Sequence, residues 1–455
     1  MKKNLFILMA GALALCACDP SGKEPGNGPT PPPAEPAVNL EWAYEVGYKF
    51  AGQSVAVDQL GNVYVQPLEQ GKLIKLDKSG VVAWDKAIST GTSLKGSGIP
   101  SCEPDGSVVY ALTGYQEAGA GLAALGIERG DRVSILAEGC NDWIVSELGL
   151  LYAGCISVPL SIKLEEANDL LFRLRHADVV AIFVSRNQLP KFRKIREQLP
   201  LIEHVIVYDC DAELQDGEMF LSELAAKGEA YLQEHNEEFL AIGKSIQNDD
   251  YATITYTSGT TADPKGVVLT HRNYTANVEQ SLTLVDIDET WRTLIILPLD
   301  HCFAHVVGFY IMMAQGATAA TVQVGRTPLE TLKNIPKNIK EVRPHFILSV
   351  PALAKTFKKN IEQAIRAKGK TTERLFNFGL KVKQTYYGDS NLDSKGLRIL
   401  LKPLVALFDK LIFSKVRDNF GGELRFFIGG GALLDKDLQK FYIGVGIPMF
   451  QGYGL

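Results

Sequence analysis

Ten consecutive residues, Thr257-Ser258-Gly259-Thr260-Thr261-Ala262-Asp263-Pro264-Lys265-Gly266, gather four hydroxyl side chains, two glycines and one lysine. Glycines let a backbone approach an anion, and hydroxyls and amides donate hydrogen bonds to it. A lysine adds a point charge suited to phosphate. The chemistry implied is the holding of a polyphosphate. The spacing is not that of the Walker loop, in which Gly-Lys-Ser/Thr follows four residues after a first glycine; here Pro264 precedes Lys265 and Gly266 follows it. The plain alternative is a Ser/Thr/Gly surface turn. A β-forming run over residues 252–256 before the loop and another over 267–270 after it favour the phosphate reading.

A second group is Asp300-His301-Cys302 with His305. Two histidines four apart on a helix can ligate zinc. Leu297-Pro298-Leu299 precedes them, and no further cysteine or paired cluster supports a metal, so a substrate-site wall is the preferred reading. Gly429-Gly430-Gly431-Ala432 and Gln451-Gly452-Tyr453-Gly454-Leu455 are further glycine-rich turns. No Ser-His-Asp constellation is legible, since sequence gives no spatial pairing.

The elements that must position these residues alternate. A helix is expected over 116–125, a turn over 126–131, a strand over 132–136 and a helix over 141–153 with Asn141 as its cap. Strand 156–159, helix 164–176, strand 179–184, a helix near 188–199 and strand 204–208 continue the pattern. After the loop a helix is expected from about Asn273. Helices alternating with short apolar strands imply an α/β fold with a mostly parallel sheet. Ligands in such sheets bind at the carboxyl ends of the strands, where the phosphate loop is expected.

The chain has 455 residues, enough for about three domains by length alone. With 47 Lys and Arg against 52 Asp and Glu it is mildly acidic, which argues against a nucleic-acid partner. Seven cysteines are too few for a disulfide scaffold. Met1-Lys2-Lys3 is followed by an uncharged run ending Leu15-Cys16-Ala17-Cys18. This resembles a bacterial lipoprotein signal over 1–18, with Cys18 the lipidated residue, rather than a spanning helix. Residues 19–40 read as an extended tether, because ten of the seventeen residues from Pro20 to Pro36 are proline or glycine. Residues 41–114 read as β. A strand, an acidic-glycine turn and a Val-Tyr strand recur after about forty residues, and the segment resembles one and a half blades of a quinoprotein-type propeller.

Tyr256-Thr-Ser-Gly-Thr-Thr261 followed by Pro264-Lys265-Gly266 resembles the phosphate loop of the AMP-dependent synthetase and ligase family, the adenylate-forming enzymes, with Ala262 where the family usually carries glycine. Gly130-Asp-Arg-Val133, Gly154-Cys-Ile-Ser-Val-Pro159, Pro298-Leu-Asp-His301, Gly429–Ala432 and Gln451–Leu455 resemble further family motifs in family order, over roughly residues 117–455. The resemblance implies the family's large N-terminal domain, incomplete at both ends within 115–455. It implies ATP with Mg2+, and coenzyme A as co-substrate. The family's roles, carried to matching positions, place Thr257 on magnesium or phosphate and Ser258, Gly259, Thr260, Thr261 and Lys265 on the β- and γ-phosphates. Gly430, Gly431, Ala432, Gln451, Gly452 and Tyr453 would hold adenosine, and His301 would line the acyl and adenylate pocket. Thr257, Lys265 and His301 are thus the catalytic candidates.

Residues 378–427 resemble the insertion of bacterial long-chain fatty acid CoA ligases, which implies fatty acid activation to acyl-adenylate and then acyl-CoA, with activity expected to be impaired in this truncated chain. Residues 381–417 carry eight basic residues against three acidic ones, with Leu397, Leu400, Leu401, Leu404, Leu407, Leu411 and Phe413 on an amphipathic pattern interrupted at Pro403. Such a segment can rest on an anionic membrane, or pack on its own domain with a solvated basic face. Two other readings stand beside the ligase: a lipid-anchored envelope protein with the ligase region as passenger, and an adenylate-forming enzyme for another carboxylate. The lipoprotein signal points to the envelope and the ligase family to the cytoplasm or its membrane face, so the two addresses conflict.

Overall fold

A computed structural model describes residues 55–57, 63–65, 72–77, 79, 81–87, 98–102, 108–112, 115–208, 210–257, 264–387 and 395–452. The signal, Cys18 and the tether lie outside them, as do Ser258, Gly259, Thr260, Thr261 and Tyr453.

The first strands, β1 (Val55–Val57), β2 (Val63–Val65), β3 (Lys72–Leu76) and β4 (Val82–Ala87), form an antiparallel meander in that order. β5 (Gly98–Cys102) and β6 (Val108–Leu112) form a separate antiparallel hairpin.

From α1 (Tyr115–Ala124) onward the chain is α/β. A seven-stranded sheet runs β11-β10-β9-β7-β8-β12-β13. Its members are β7 (Arg132–Leu136), β8 (Ile156–Pro159), β9 (Val179–Val184), β10 (His204–Val207), β11 (Glu218–Phe220), β12 (Tyr251–Thr257) and β13 (Lys265–Thr270). All neighbours are parallel except β12 and β13. A five-stranded parallel sheet runs β15-β14-β16-β17-β18, from β14 (Arg292–Ile295), β15 (Thr318–Thr321), β16 (Phe346–Ser349), β17 (Phe426–Gly429) and β18 (Met449–Gln451).

Parallel strands buried on both faces are continuously apolar, and alternate residues serve opposite faces. Ile135, Phe183 and Ile206 of the first sheet share one core with Ile295, Phe346 and Leu348 of the second. Leu136, Ile182 and Val205 serve the outer face of the first sheet, and Leu294, Ile347 and Phe427 that of the second. Between the sheets lie α2 (Asn141–Tyr152) with Trp143, and the segment Ala304–Tyr310, a π-helical stretch that continues into Ile311–Ala314. α1 is seated by glycines: a Cβ on Gly119 would stand 2.5 Å from the Gly149 carbonyl oxygen of α2.

Several boundaries differ from the expected ones. The cap of α2 is Cys140, and Asn141 is its first residue. The helix expected over 164–176 begins at Glu166, as a π turn leading into α3 (Leu171–His176). The helix near 188–199 is a short α4 (Leu189–Arg193) and a 3-10 turn, Arg196–Gln198. After α5 (Leu221–Ser245) and the β12–β13 hairpin, α6 spans His271–Leu282. It starts before Asn273 because Thr270 caps it: the Thr270 hydroxyl accepts from the Asn273 amide and the Asn273 side chain accepts from the Thr270 amide at 2.8 Å. Beyond α7 (Pro328–Val342), α8 (Pro351–Ala367) and α9 (Lys370–Tyr387), α10 (Lys395–Phe408) continues through Pro403 rather than breaking there. The ring lies on an exposed face, where a carbonyl that loses its helical partner is open to solvent. A π turn, Asp409–Phe413, then leads to α11 (Ser414–Asp418). α12 (Lys436–Val445) packs between β17 and β18 in sequence.

Candidate active site

Thr257 ends β12 and Lys265 opens β13, and the two are register partners. Both are exposed. The strand that delivers Thr257 is tied down on both sides. Tyr256 donates its hydroxyl to the Arg173 carbonyl at 3.2 Å and meets His176 Nδ1 at 2.8 Å. The Thr253 hydroxyl meets the Tyr274 hydroxyl of α6 at 2.8 Å. Gly266 is opposite Tyr256, and a Cβ there would stand 2.9 Å from Ile254 Cγ2.

The other candidates cluster at the carboxyl ends of the second sheet. The Gly430 amide donates to the Ser349 carbonyl at the end of β16, and the Gly452 amide to the Gly429 carbonyl at the end of β17. Gly431 has φ +76, a left-handed turn that glycine adopts without strain. Gln451 uses its amide on this turn, donating to the Ala432 carbonyl at 2.9 Å and accepting from the Leu434 amide at 2.7 Å. A Cβ on Gly430 would stand 3.0 Å from the Phe303 ring. That contact brings the His301 segment against the Gly430–Ala432 turn.

His301 Nδ1 accepts from the Phe303 amide at 3.3 Å. The Cys302 thiol beside it raises the His301 pKa, and His301 in turn lowers that of Cys302. Burial raises the pKa of Asp300. His305 is buried beside Glu147, whereas His301 and Cys302 are exposed. Among the described residues no group of three or more His, Cys, Asp or Glu is placed to hold a metal ion. Thr257 offers one hard oxygen donor, which fits a magnesium ion whose other ligands are waters and phosphate oxygens.

Two sets are therefore assembled: Thr257 with Lys265, and His301 with Gly430, Gly431, Ala432, Gln451 and Gly452. Tyr274 is bonded to Thr253 of β12, and its ring stands 5.5 Å from that of the buried His305. Thr257 and Gln451 end β12 and β18, and Gly430 directly follows β17, the strand ends at which open α/β sheets bind ligands; Lys265, first residue of the antiparallel β13, faces Thr257 at the same edge. Phe303 and Ser349, which complete the second set, carry no sequence signal of their own. An open cavity of about 590 Å3 at the ends of β7, β9, β10 and β15 is lined by Glu138, Asn141, Ser185, Asn187, Tyr208 and Thr321, and by none of the candidates.

The family model described as AMP-binding enzyme matches residues 113–455. The chain belongs to that family. Among AMP-binding enzymes it is 28% identical over 356 residues to Long-chain-fatty-acid--CoA ligase FadD15 of Mycobacterium tuberculosis, covering 77% of this chain and 56% of the relative. It is 28% identical over 364 residues to Long-chain-fatty-acid--CoA ligase 1 of Saccharomyces cerevisiae, covering 74% and 50%. The chain spans about half the length of the curated relatives it matches. A solved Mycobacterium tuberculosis fatty acyl CoA synthetase aligns with a TM-score of 0.50 at 22% identity, covering 76% of this chain and 54% of that one. A putative long-chain-fatty-acid CoA ligase from Rhodopseudomonas palustris aligns with a TM-score of 0.51 at 13% identity, covering 77% and 70%. These two likenesses establish the adenylate-forming α/β fold.

Proposed function

We propose that this AMP-binding enzyme activates a long-chain fatty acid with ATP. The fatty acid carboxylate attacks the α-phosphorus, pyrophosphate leaves, and the thiol of coenzyme A then takes the acyl group from the adenylate. The observation that carries the reading is the Thr257–Lys265 pair, a hydroxyl and a lysine set opposite each other at the carboxyl end of β12. The ligase relatives support the fatty acid as substrate.

The adenylation step gathers negative charge, so it needs fixed donors and cations more than a general base. Lys265 and the hydroxyls of Thr257, Ser258, Thr260 and Thr261, with the Gly259 amide, hold the β- and γ-phosphates. Thr257 would help hold a magnesium ion brought with the nucleotide, which when bound would neutralise further phosphate charge. Gly430, Gly431, Ala432, Gly452 and Tyr453 hold the adenosine, Gln451 fixes the shape of their turn, and His301 lines the junction where the adenylate forms.

Membrane contact through residues 381–417 belongs to the same reading, because the substrate partitions into lipid. Lipidation at Cys18 would place the chain at the envelope, and labelled palmitate at that residue tests it. Among the described residues no helix is long and apolar enough to cross a membrane. We infer that the β segment ahead of the domain belongs to a propeller-like repeat, an architecture built of four-stranded antiparallel blades.

The test of the function is calorimetric binding of non-hydrolysable acyl-adenylate analogues to the full chain. A palmitoyl analogue is expected to bind at least tenfold more tightly than a benzoyl analogue. Equal affinities would assign the site to another carboxylate, and no binding of either would refute an adenylate site.

A further inference from the structure

Leu400, Leu404, Leu407 and Leu411 follow one another at intervals of four, three and four residues, which places them on one stripe of α10 and the turn after it. They are 74%, 39%, 49% and 49% exposed. The segment does not need them for its own packing. Phe408, Ile412 and Phe413 are buried beneath it, with Leu401 and Val405 partly buried in the same core. On α9, Phe378 is 57% exposed, and its ring stands edge-on to Phe408 with centroids 5.6 Å apart. That contact sets an exposed aromatic beside the leucine stripe. Leu375, three residues earlier on α9, is exposed as well.

The charges around this face have one sign. Arg374, Lys381, Lys402, Lys410 and Lys415 are exposed. Asp409 does not offset them: Lys383 donates to it at 2.5 Å and Arg417 at 2.8 and 2.6 Å. Glu373 is engaged by Arg366 at 2.9 Å. Only Asp418, at the end of α11, is an exposed acid among the described side chains of α10 and α11.

A leucine stripe left in water on a lysine-bearing helix is the pattern of helices that lie in a membrane interface. A second copy of the same face would set lysine against lysine, so a self-complementary dimer is disfavoured. We propose that α9 and α10 form a docking surface for an anionic lipid bilayer. Leu400, Leu404, Leu407, Leu411 and Phe378 enter the boundary between headgroups and acyl chains, and the flanking lysines meet the headgroup phosphates. The inference deepens the membrane contact proposed above and rests on it, while the surface itself is independent of what the nucleotide site accepts.

The test is vesicle flotation of the full chain, without ATP or fatty acid, on phosphatidylglycerol and on phosphatidylcholine vesicles. Leu400→Glu, the pair Leu404→Glu with Leu407→Glu, and the pair Lys402→Glu with Lys410→Glu are compared with the parent, each checked by its urea midpoint. The parent is expected to favour the anionic vesicles at least tenfold, with binding falling as salt rises. Each variant is expected to lose most of that preference. Leu400→Glu, at the most exposed site, keeps the test decisive if the double leucine variant unfolds. The proposal is overturned if Leu400→Glu and the lysine pair float like the parent, or if the parent ignores lipid charge. It is also overturned if the parent is a dimer that the leucine variants convert to monomer, since the face then belongs to a second copy. Vesicle binding with no adenylate-analogue binding would sink the ligase reading and leave this surface standing.

Discussion

Thr257 and Lys265 face each other as the last register pair of the β12–β13 ladder. A hydroxyl and an ammonium are thus set opposite each other, with β12 held by Tyr256 and Tyr274. A hydrogen bond to a charged group contributes about 1.5–3 kcal/mol. Lys265→Ala should therefore weaken ATP binding by about tenfold to a hundredfold. Thr257→Val keeps the shape and removes the oxygen, and should reduce the magnesium dependence of that binding. Calorimetric titration of both variants checks this; unchanged affinity in Lys265→Ala would remove the phosphate role from the lysine.

Cys302 should be the most reactive of the described free thiols. It is exposed and its pKa is lowered by His301, whereas burial pushes Cys140 and Cys155 up to about 12. Only the thiolate is nucleophilic. At neutral pH, iodoacetamide followed by peptide mass spectrometry should find Cys302 labelled before Cys140, Cys155 and Cys210. His301→Ala should slow the labelling several-fold, and a bound adenylate analogue should protect Cys302. Labelling indifferent to both would separate Cys302 from His301 and from the site.

Gly228→Ala tests how α1 is held to the domain. A Cβ at Gly228 on α5 would stand 1.9 Å from the Glu117 carbonyl oxygen and 2.6 Å from the Gly121 nitrogen, both on α1. Both are backbone atoms, so the helices must separate. Overpacking of this kind costs about 1–3 kcal/mol. Gly139→Ala is the control, since its Cβ would meet only Leu299 at 3.5 Å, an ordinary contact. Thermal unfolding should fall by several degrees for the first variant and hardly move for the second; equal melting temperatures would mean that α1 does not approach α5 this closely.

Strands 132–136, 156–159 and 179–184 are legible from sequence because strands buried on both faces are unbroken apolar runs. The 188–199 segment misleads for a related reason. Leu189, Phe192, Ile195 and Leu199 are all buried at helical spacing, but a five-residue helix and a 3-10 turn bury them as well as one helix does. The candidate phosphate loop stands out in the sequence because its residue types lie in ten adjacent positions, of which Thr257 and Lys265 are described and pair across β12 and β13. The contact of Gly430 with Phe303 and the placing of Tyr274 between Thr253 and His305 join residues far apart in sequence and leave no local pattern.

Glu147 and His305 form another such pairing. Glu147 Oε1 lies 3.4 Å from His305 Nε2, and neither residue reaches solvent. Trp143, Tyr274, Phe309 and Tyr310 enclose the imidazole. Burial pushes the Glu147 carboxyl up to about 8, against the pull of the Ser157 and Tyr310 hydroxyls, and pushes His305 down to about 3. The folded protein therefore holds both groups neutral near pH 6. Glu147 binds its proton more tightly folded than unfolded, so its contribution is complete below pH 4.5 and is lost as pH rises through about 8. His305 binds its proton less tightly folded, so its contribution is complete above pH 6.5 and is lost as pH falls towards 3. The two slopes oppose each other between 4.5 and 6.5, leaving a plateau with an alkaline limb owed to Glu147 and an acid limb owed to His305. Glu147→Gln cannot ionise, so its stability relative to the parent should improve as pH rises from 6 to 8. His305→Gln should show the opposite trend, gaining on the parent as pH falls from 4.5 to 3. Urea unfolding across that range decides it: parent and Glu147→Gln curves that stay parallel from pH 6 to 8 would mean that Glu147 is already ionised in the folded protein.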